Sequence, residues 1–281
     1  MSKGFLIYAQ DSNLKKYTKC AYALALSIKK HVPNANISIV TDNDLPKKYN
    51  IVFDQVIPVP WRDFNKDSNT TYKIEDRWKL YHCSPYDETI LMDADMLVLS
   101  DISYWWDYLE EYNLFFTSDV KDYRNNTITG RFYRKAFDSN NLPNFYSGVM
   151  YFKKTDFSKE FYKWVEDISN NWQLFYGKFV AVNYPKVPSM DINVSLASKI
   201  LNCEDLVSHK KAPVTFTHMK PMIQNWEHPT ESWQDSIGCY FNSKCELKIG
   251  NYQQYGVFHY TEYTFLTDDI VNQLERSLGV S

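Results

Sequence analysis

The stretch Leu91-Met92-Asp93-Ala94-Asp95-Met96-Leu97-Val98 sets two carboxylates two positions apart between two apolar runs. The run that begins at Thr89 predicts a short buried strand that ends where the carboxylates begin. Carboxylates in so apolar a setting are costly unless they are paired, hydrogen-bonded or coordinated. At a strand end the chain turns, so both carboxylates can face one hard cation. Oxygen ligands of this kind suit Mg²⁺ or Mn²⁺. The alternative interpretation is a strand end followed by a turn that the two aspartates cap.

The sequence around this stretch alternates between strand and helix patterns. It predicts strands at 5–9, 37–40, 52–59 and 89–92, and helices at 17–32 and 74–81. This order is typical of an α/β sheet that binds ligands at the carboxyl ends of its strands. Further along, the patterns predict strands at 114–117 and 149–152, an amphipathic helix at 156–168, and a long surface loop at 119–144.

Composition narrows the class of protein. The chain has 281 residues, of which 44% are hydrophobic and 23% charged, so wholesale disorder is excluded. Its net charge of −3 excludes a strongly basic protein that coats nucleic acid by bulk charge. Its 5 cysteines are scattered, which argues against a disulfide framework or a zinc knuckle. Neither a signal peptide nor a spanning helix is indicated, so we expect a cytoplasmic protein, in the host cytoplasm if a phage encodes it.

The segment at 91–99 resembles the DxD segment of retaining glycosyltransferases of family 8, the glycogenin-like group with the GT-A fold. Three other stretches are similar to segments of that family: Tyr17-Thr18-Lys19, Phe145-Tyr146-Ser147-Gly148-Val149-Met150 and Met190-Asp191-Ile192-Asn193. Tyr146 stands where the family has Asn, and Ile192 stands where it has Gln. The resemblance covers roughly residues 4–200 and thins beyond.

This resemblance implies a fold and a division of labour along the chain. We expect an α/β fold with a GT-A-type nucleotide-sugar-binding sheet flanked by helices, and an aromatic-rich C-terminal extension. Residues 1–281 would form a single domain. Residues 1–100 would be its nucleotide-binding half, and residues 101–281 its acceptor half with the extension.

The resemblance also implies a divalent cation, Mn²⁺ or Mg²⁺, and a UDP-sugar as donor. Asp93 and Asp95 would hold the ion, and a histidine late in the chain would complete the site. His259 is our preferred ligand, because an apolar pair precedes it and the chain then enters the terminal helix. His218 is the alternative; it has Lys220 close by, which resembles the family's phosphate contact.

Three residues are candidates for the chemistry itself. Arg77 falls where the family has a basic residue near the donor, and can pair with a phosphate or a sugar hydroxyl. Asp191 would lie beneath the anomeric carbon and stabilise or attack a cationic transition state; alternatively, it caps the helix that follows it. Asp119 closes another apolar strand and can reach the cleft. The residues expected to bind the donor are Tyr8, Ala9, Tyr17, Asp42, Arg77, Asp93, Ala94, Ser147, Gly148 and Lys220.

The resemblance therefore implies a metal-dependent glycosyltransferase that acts with retention. The acceptor stays open between a glycan, a lipopolysaccharide, a protein and a modified base of phage DNA, and no oligomeric state is indicated. A non-catalytic module that binds a sugar or a nucleic acid on a degenerate GT-A domain is the alternative. Nucleotidyl transfer is disfavoured, because the chain has only 8 glycines and no glycine-rich phosphate loop.

Overall fold

The computed structural model describes residues 1–12, 15–61, 76–128, 134–183, 185–220 and 232–280. The strands are β1 (Lys3–Tyr8), β2 (Ile37–Val40), β3 (Gln55–Ile57), β4 (Glu88–Asp93), β5 (Met96–Val98), β6 (Leu114–Thr117), β7 (Tyr146–Lys153), β8 (Phe216–His218), β9 (Cys239–Phe241), β10 (Leu247–Ile249), β11 (Tyr252–Gln253) and β12 (Val257–His259). The α-helices are α1 (Tyr17–His31), α2 (Leu80–Cys83), α3 (Trp105–Leu109), α4 (Lys135–Ser139), α5 (Asp156–Asn170), α6 (Trp172–Phe179), α7 (Met190–Ile200) and α8 (Asp268–Ser277).

A mixed six-stranded sheet lies at the centre, with the spatial order β3-β2-β1-β4-β7-β6. The strands β3, β2, β1 and β4 run parallel, and β7 is antiparallel to both β4 and β6. Two smaller sheets have the orders β5-β12-β8 and β11-β10-β9. The predicted α/β fold with a helix-flanked sheet is confirmed.

Strands β1, β2, β4, β6 and β7 of the central sheet are buried on both faces, which explains why they read as unbroken apolar runs, whereas the edge strand β3 is partly exposed. Successive side chains of a strand point to opposite faces. Ile90 and Met92 accordingly belong to the core on the α1 side, and Leu91 to the core on the α5 and α7 side. In β1, Phe5 and Leu6 divide between the same two cores.

Three predicted elements differ from the structure. The strand expected at 52–59 pairs only over Gln55–Ile57, because Pro58 and Pro60 have no N–H with which to extend an edge ladder. In place of a helix at 74–81 stand a 3₁₀ turn at Arg77–Lys79 and α2; residues 74–75 lie outside the described part. The expected loop at 119–144 contains α4, and its residues 129–133 are also outside the described part.

The C-terminal segment is built into the core. Strand β12 lies between β5 and β8, and α8 contacts α1, with an ion pair of 2.6 Å between Lys19 and Asp268. Of its aromatic residues, Trp233, Phe258 and Tyr260 are fully buried, Phe241 and Tyr263 are partly buried, and Tyr240, Tyr252 and Tyr255 are exposed. Trp226, an aromatic residue of the same segment, lies outside the described residues.

No helix in the described ranges has both the length and the apolar character needed to cross a lipid bilayer.

Candidate active site

The two aspartates lie where the chain leaves one sheet for another. Asp93 is the last residue of β4 in the central sheet, and Asp95 immediately precedes β5 in the sheet β5-β12-β8. Ala94 between them is buried, whereas the side chains of Asp93 and Asp95 keep 21% and 18% of their surface exposed. The carboxylates are thus held by packed backbone on both sides and still open to a ligand.

His259 reaches the aspartates through strand pairing. Strand β12 runs antiparallel to β5, which sets His259 opposite Met96. Its Nε2 atom lies 3.1 Å from Oδ1 of Asp95. One ligand atom each from Asp93, Asp95 and His259 all lie within 4.8 Å of one another. Among the described residues, these three form the group of acidic, histidine or cysteine side chains that lie close enough together to hold one metal ion.

His218 lies beside His259 on the next strand. The two histidines are directly opposite each other in the parallel pair β8–β12, and their rings stack with centroids 4.9 Å apart. Burial, with the charges of His259 and Lys220 adding to it, lowers the pKa of His218 well below its usual value. The structure therefore brings both predicted histidines to one place, with His259 facing the aspartates.

The electrostatics of the group favour a cation. Burial raises the pKa of Asp93, with Asp95 adding to that rise, although the guanidinium of Arg77 pairs with this carboxylate. Burial also opposes ionisation of Asp95, but His259 outweighs it and holds the pKa of Asp95 below its usual range. Burial acts against protonation of His259, yet the Asp95 carboxylate raises the pKa of that imidazole. A metal ion bound by these three side chains would supply positive charge between the two carboxylates.

Two carboxylates and an imidazole are a donor set that fits the predicted ion. Carboxylate oxygens suit Mg²⁺ and Mn²⁺, and imidazole suits transition metals better than Mg²⁺. The residues present therefore fit Mn²⁺ well.

Gly148 lets β7 pass close to this group. A Cβ atom at Gly148 would lie 3.1 Å from Oδ2 of Asp93, 3.0 Å from Cε of Met96 and 3.3 Å from Cζ of Phe216. Any larger residue would press against the Asp93 carboxylate, so glycine fits this position for its lack of a side chain.

Ser147 joins the two acidic parts of the site. Its carbonyl accepts a hydrogen bond of 2.7 Å from Arg77, which also pairs with Asp93. Its N–H and hydroxyl donate to Oδ1 of Asp191 at 2.8 and 2.5 Å. Asp191 lies in the first turn of α7, where Ser189 is the N-cap residue. The carboxylate of Asp191 accepts its hydrogen bonds from Ser147 of β7. These are not the contacts of a helix cap, which was the alternative role for Asp191.

Arg134 is a site residue that sequence reasoning missed. It is buried just before α4, and its guanidinium pairs with Oδ2 of Asp191. Burial would raise the pKa of Asp191, but Arg134 and the Ser147 hydrogen bonds hold it below its usual range. Arg134 stands in a stretch predicted as loop, where no periodic pattern marks any one residue.

The predicted nucleotide-binding residues lie at the same edge of the sheet. Tyr8 ends β1 directly beside Asp93 in the β1–β4 pair, and its hydroxyl donates to Gln10. Gln10 in turn donates to Asp42 at 3.2 Å. Ala9 is buried after β1, and Tyr17 begins α1, half-buried against the core.

Lys220 and Asp119 have different surroundings. Lys220 follows β8, where burial lowers the pKa of its ammonium group and the charge of Asp191 opposes that shift. Asp119 follows β6 and pairs with Lys121 at 2.7 Å. The contacts of Asp119 are thus with Lys121 rather than with the group of Asp93, Asp95 and His259.

Solved structures resemble the chain, although no protein-family model and no curated protein matches its sequence. Apo mouse xyloside xylosyltransferase 1 superposes with a TM-score of 0.51 at 12% identity, over 92% of this chain and 97% of that one. Galactosyltransferase LgtC, in complex with donor and acceptor sugar analogues, has a TM-score of 0.39 at 15% identity, over 63% and 71%. Apo GlyE of Streptococcus pneumoniae TIGR4 has a TM-score of 0.43 at 14% identity, over 74% of this chain and 45% of its own.

The chain spans less than half of the GlyE chain that it matches. It spans nearly all of the mouse enzyme, and that superposition shows a shared fold. The chain thus shares its α/β fold with that structure.

Proposed function

We propose that this protein is a metal-dependent glycosyltransferase that transfers a sugar from a nucleotide sugar, a UDP-sugar, to an acceptor. The observation that carries the proposal is the convergence of Asp93, Asp95 and His259, whose ligand atoms lie within 4.8 Å of one another. This group lies at the carboxyl end of β4, the edge at which open α/β sheets bind their ligands.

In this proposal Asp93, Asp95 and His259 hold Mn²⁺, with Mg²⁺ as the other candidate. An ion held by these residues would supply positive charge next to the diphosphate leaving group. The protein supplies further positive charge from Lys220, whose ammonium is within electrostatic range of Asp191. Tyr8 at the end of β1 and Asp42 shortly after β2 would contact the nucleoside.

The protein's own residues would organise the sugar. Asp191 is ionised and held by Ser147 and Arg134. A carboxylate so placed can stabilise positive charge at the anomeric carbon as the donor bond lengthens. The bond from that carbon to the diphosphate oxygen breaks, a bond to the acceptor oxygen forms, and the acceptor proton leaves to the diphosphate or to water. Retention at the anomeric carbon is part of the proposal.

The acceptor is proposed by class. A glycan, a lipopolysaccharide, a protein or a modified base of phage DNA each presents a hydroxyl to the donor. The exposed rings of Tyr240, Tyr252 and Tyr255 offer faces that stack on sugars and on bases alike.

The test is donor turnover by the full chain. Purified protein is incubated with UDP-, GDP-, ADP- and CMP-sugars in Mn²⁺, Mg²⁺ or EDTA, and released nucleotide is measured. We expect slow hydrolysis of one UDP-sugar with Mn²⁺ and none with EDTA. Asp95→Asn should abolish it, while Asp107→Asn, the same change at an exposed position of α3, should not.

The same assays also distinguish the transferase from the alternative, a non-catalytic binding module. Binding of a donor without turnover, even with the acceptor classes added, would support a non-catalytic binding module. Absence of both binding and turnover with metal present would contradict the proposed transferase.

A further inference from the structure

Arg134 is a charged residue that the protein buries beside the candidate site. Only 5% of its side chain is exposed. Its Nε donates to Oδ1 of Asn144 at 2.6 Å, and its two terminal nitrogens bind Asp191 and the carbonyl of Phe145. Burying a guanidinium is costly, and the cost is offset only where paired charge and hydrogen bonds compensate it. These contacts supply that compensation.

Two aromatic rings pack against this guanidinium. Its central carbon lies 3.8 Å from the ring centroid of Phe137 and 4.1 Å from that of Tyr146. A planar, stacked guanidinium presents its N–H groups in fixed directions, which an ammonium group on a flexible chain does not. The orientation of Arg134 is thus set before any ligand binds.

The Asp191 carboxylate is held from both sides as a result. Oδ2 accepts from Arg134, and Oδ1 accepts from the N–H and the hydroxyl of Ser147. Ser147 is joined to Arg77, and Arg77 to Asp93. One continuous set of hydrogen bonds therefore runs from Arg134 to the aspartate that we propose as a metal ligand.

We propose that Arg134 is a positioning residue, which fixes the Asp191 carboxylate in the donor site without itself touching the substrate. The inference rests on the proposed function and adds to it a residue from outside the segments that resemble the family. Removing the guanidinium would leave Oδ2 of Asp191 without this donor and free to rotate. A displacement of about 1 Å in a reacting group can cost on the order of 100-fold in rate.

A purely structural role is the competing explanation, because Arg134 also ties down Asn144 and Phe145. Asn144→Ala is the matched control, since it removes a structural contact of Arg134 and leaves the Asp191 pair in place. Arg134→Met removes the charge but keeps a long side chain. Arg134→Lys keeps the charge but lacks the planar set of N–H donors of the guanidinium.

The first readout does not depend on activity. The carboxyl pKa of Asp191 is measured by carbon NMR, with Asp191→Asn to assign its signal. We expect Arg134→Met to raise this pKa, because the opposing charge is lost; Arg134→Lys to raise it less; and Asn144→Ala to leave it unchanged. Thermal unfolding of each variant shows that it is folded, and a Met variant that does not fold leaves the Lys variant to make the comparison.

The second readout is donor turnover. We expect kcat to fall on the order of 100-fold in Arg134→Met, with KM within a few-fold of wild type, and partial recovery in Arg134→Lys. An unchanged Asp191 pKa in the folded Arg134 variants would overturn the inference, as would an equal loss of kcat in Asn144→Ala. If the wild-type protein turns over no donor even with the acceptor classes added, the proposed function fails, and the NMR titration still decides whether Arg134 holds Asp191.

Discussion

Gly148→Ala is the substitution that most directly probes the packing behind the candidate metal site. The added Cβ would meet Cε of Met96 at 3.0 Å, Oδ2 of Asp93 at 3.1 Å and Cζ of Phe216 at 3.3 Å. The methionine end is flexible, but Asp93 is paired with Arg77 and Phe216 is buried. Overpacking of this kind costs about 1–3 kcal/mol. At about 2–4 °C per kcal/mol for a chain of this size, the melting temperature should fall by roughly 2–12 °C.

The assay is thermal unfolding with and without Mn²⁺. An ion that binds only the folded state raises the melting temperature, and a displaced Asp93 carboxylate should weaken that rise. Gly177→Ala is the matched control: nothing lies within 4 Å of the position where its Cβ would be, and it sits in α6. The same change there should stabilise the fold by about 0.4–1 kcal/mol. If Gly148→Ala has the melting temperature of wild type and the same rise with Mn²⁺, β7 does not pack against Asp93 as described.

Three further predictions concern stability and reactivity. The folded state lowers the pKa of Asp191, so this carboxylate stabilises the protein above its unfolded pKa of about 3.9 and loses that effect as the pH falls further. The free energies of unfolding of wild type and Asp191→Asn, measured in urea, should therefore converge in acid. A difference between them that stays constant with pH would contradict this. Ser27→Ala removes the acceptor of a buried backbone N–H of β5 and should cost about 1–3 kcal/mol, whereas the exposed Ser277→Ala should change stability by less than about 0.5 kcal/mol in the same denaturation. Iodoacetamide at pH 8 should alkylate the exposed Cys239 well before Cys20, whose pKa burial raises to about 12, and equal labelling by mass spectrometry would refute the burial of Cys20.

The central sheet was predictable from the sequence because its strands are short apolar runs buried on both faces. Period and length alone locate β1, β2 and β4. The edge strand β3 is shorter than its apolar pattern, because prolines end the ladder. Helix α2 has too few residues to give a periodic signal, so its boundaries could not be read from spacing.

The candidate site was predictable in part. Asp93 and Asp95 stand out as carboxylates inside an apolar stretch, and the turn between them is a local feature. The choice between His218 and His259 depends on which strand pairs with β5. It is β12 that does so, and it brings His259 to Asp95, 164 residues away in the chain, which no local pattern encodes. Arg134 can be recognised only from its contacts in the fold, above all the pair with Asp191. These two residues are 57 positions apart, and no sequence pattern places them together.

The central claim is that Asp93, Asp95 and His259 bind a divalent cation together with a nucleoside diphosphate. The most direct measurement is a Mn²⁺ titration followed by electron paramagnetic resonance in the presence of UDP, on wild type, Asp95→Asn and Asp107→Asn. The account predicts one tight Mn²⁺ site per chain in wild type and in Asp107→Asn, and its loss in Asp95→Asn. Equal Mn²⁺ binding by all three proteins would contradict it.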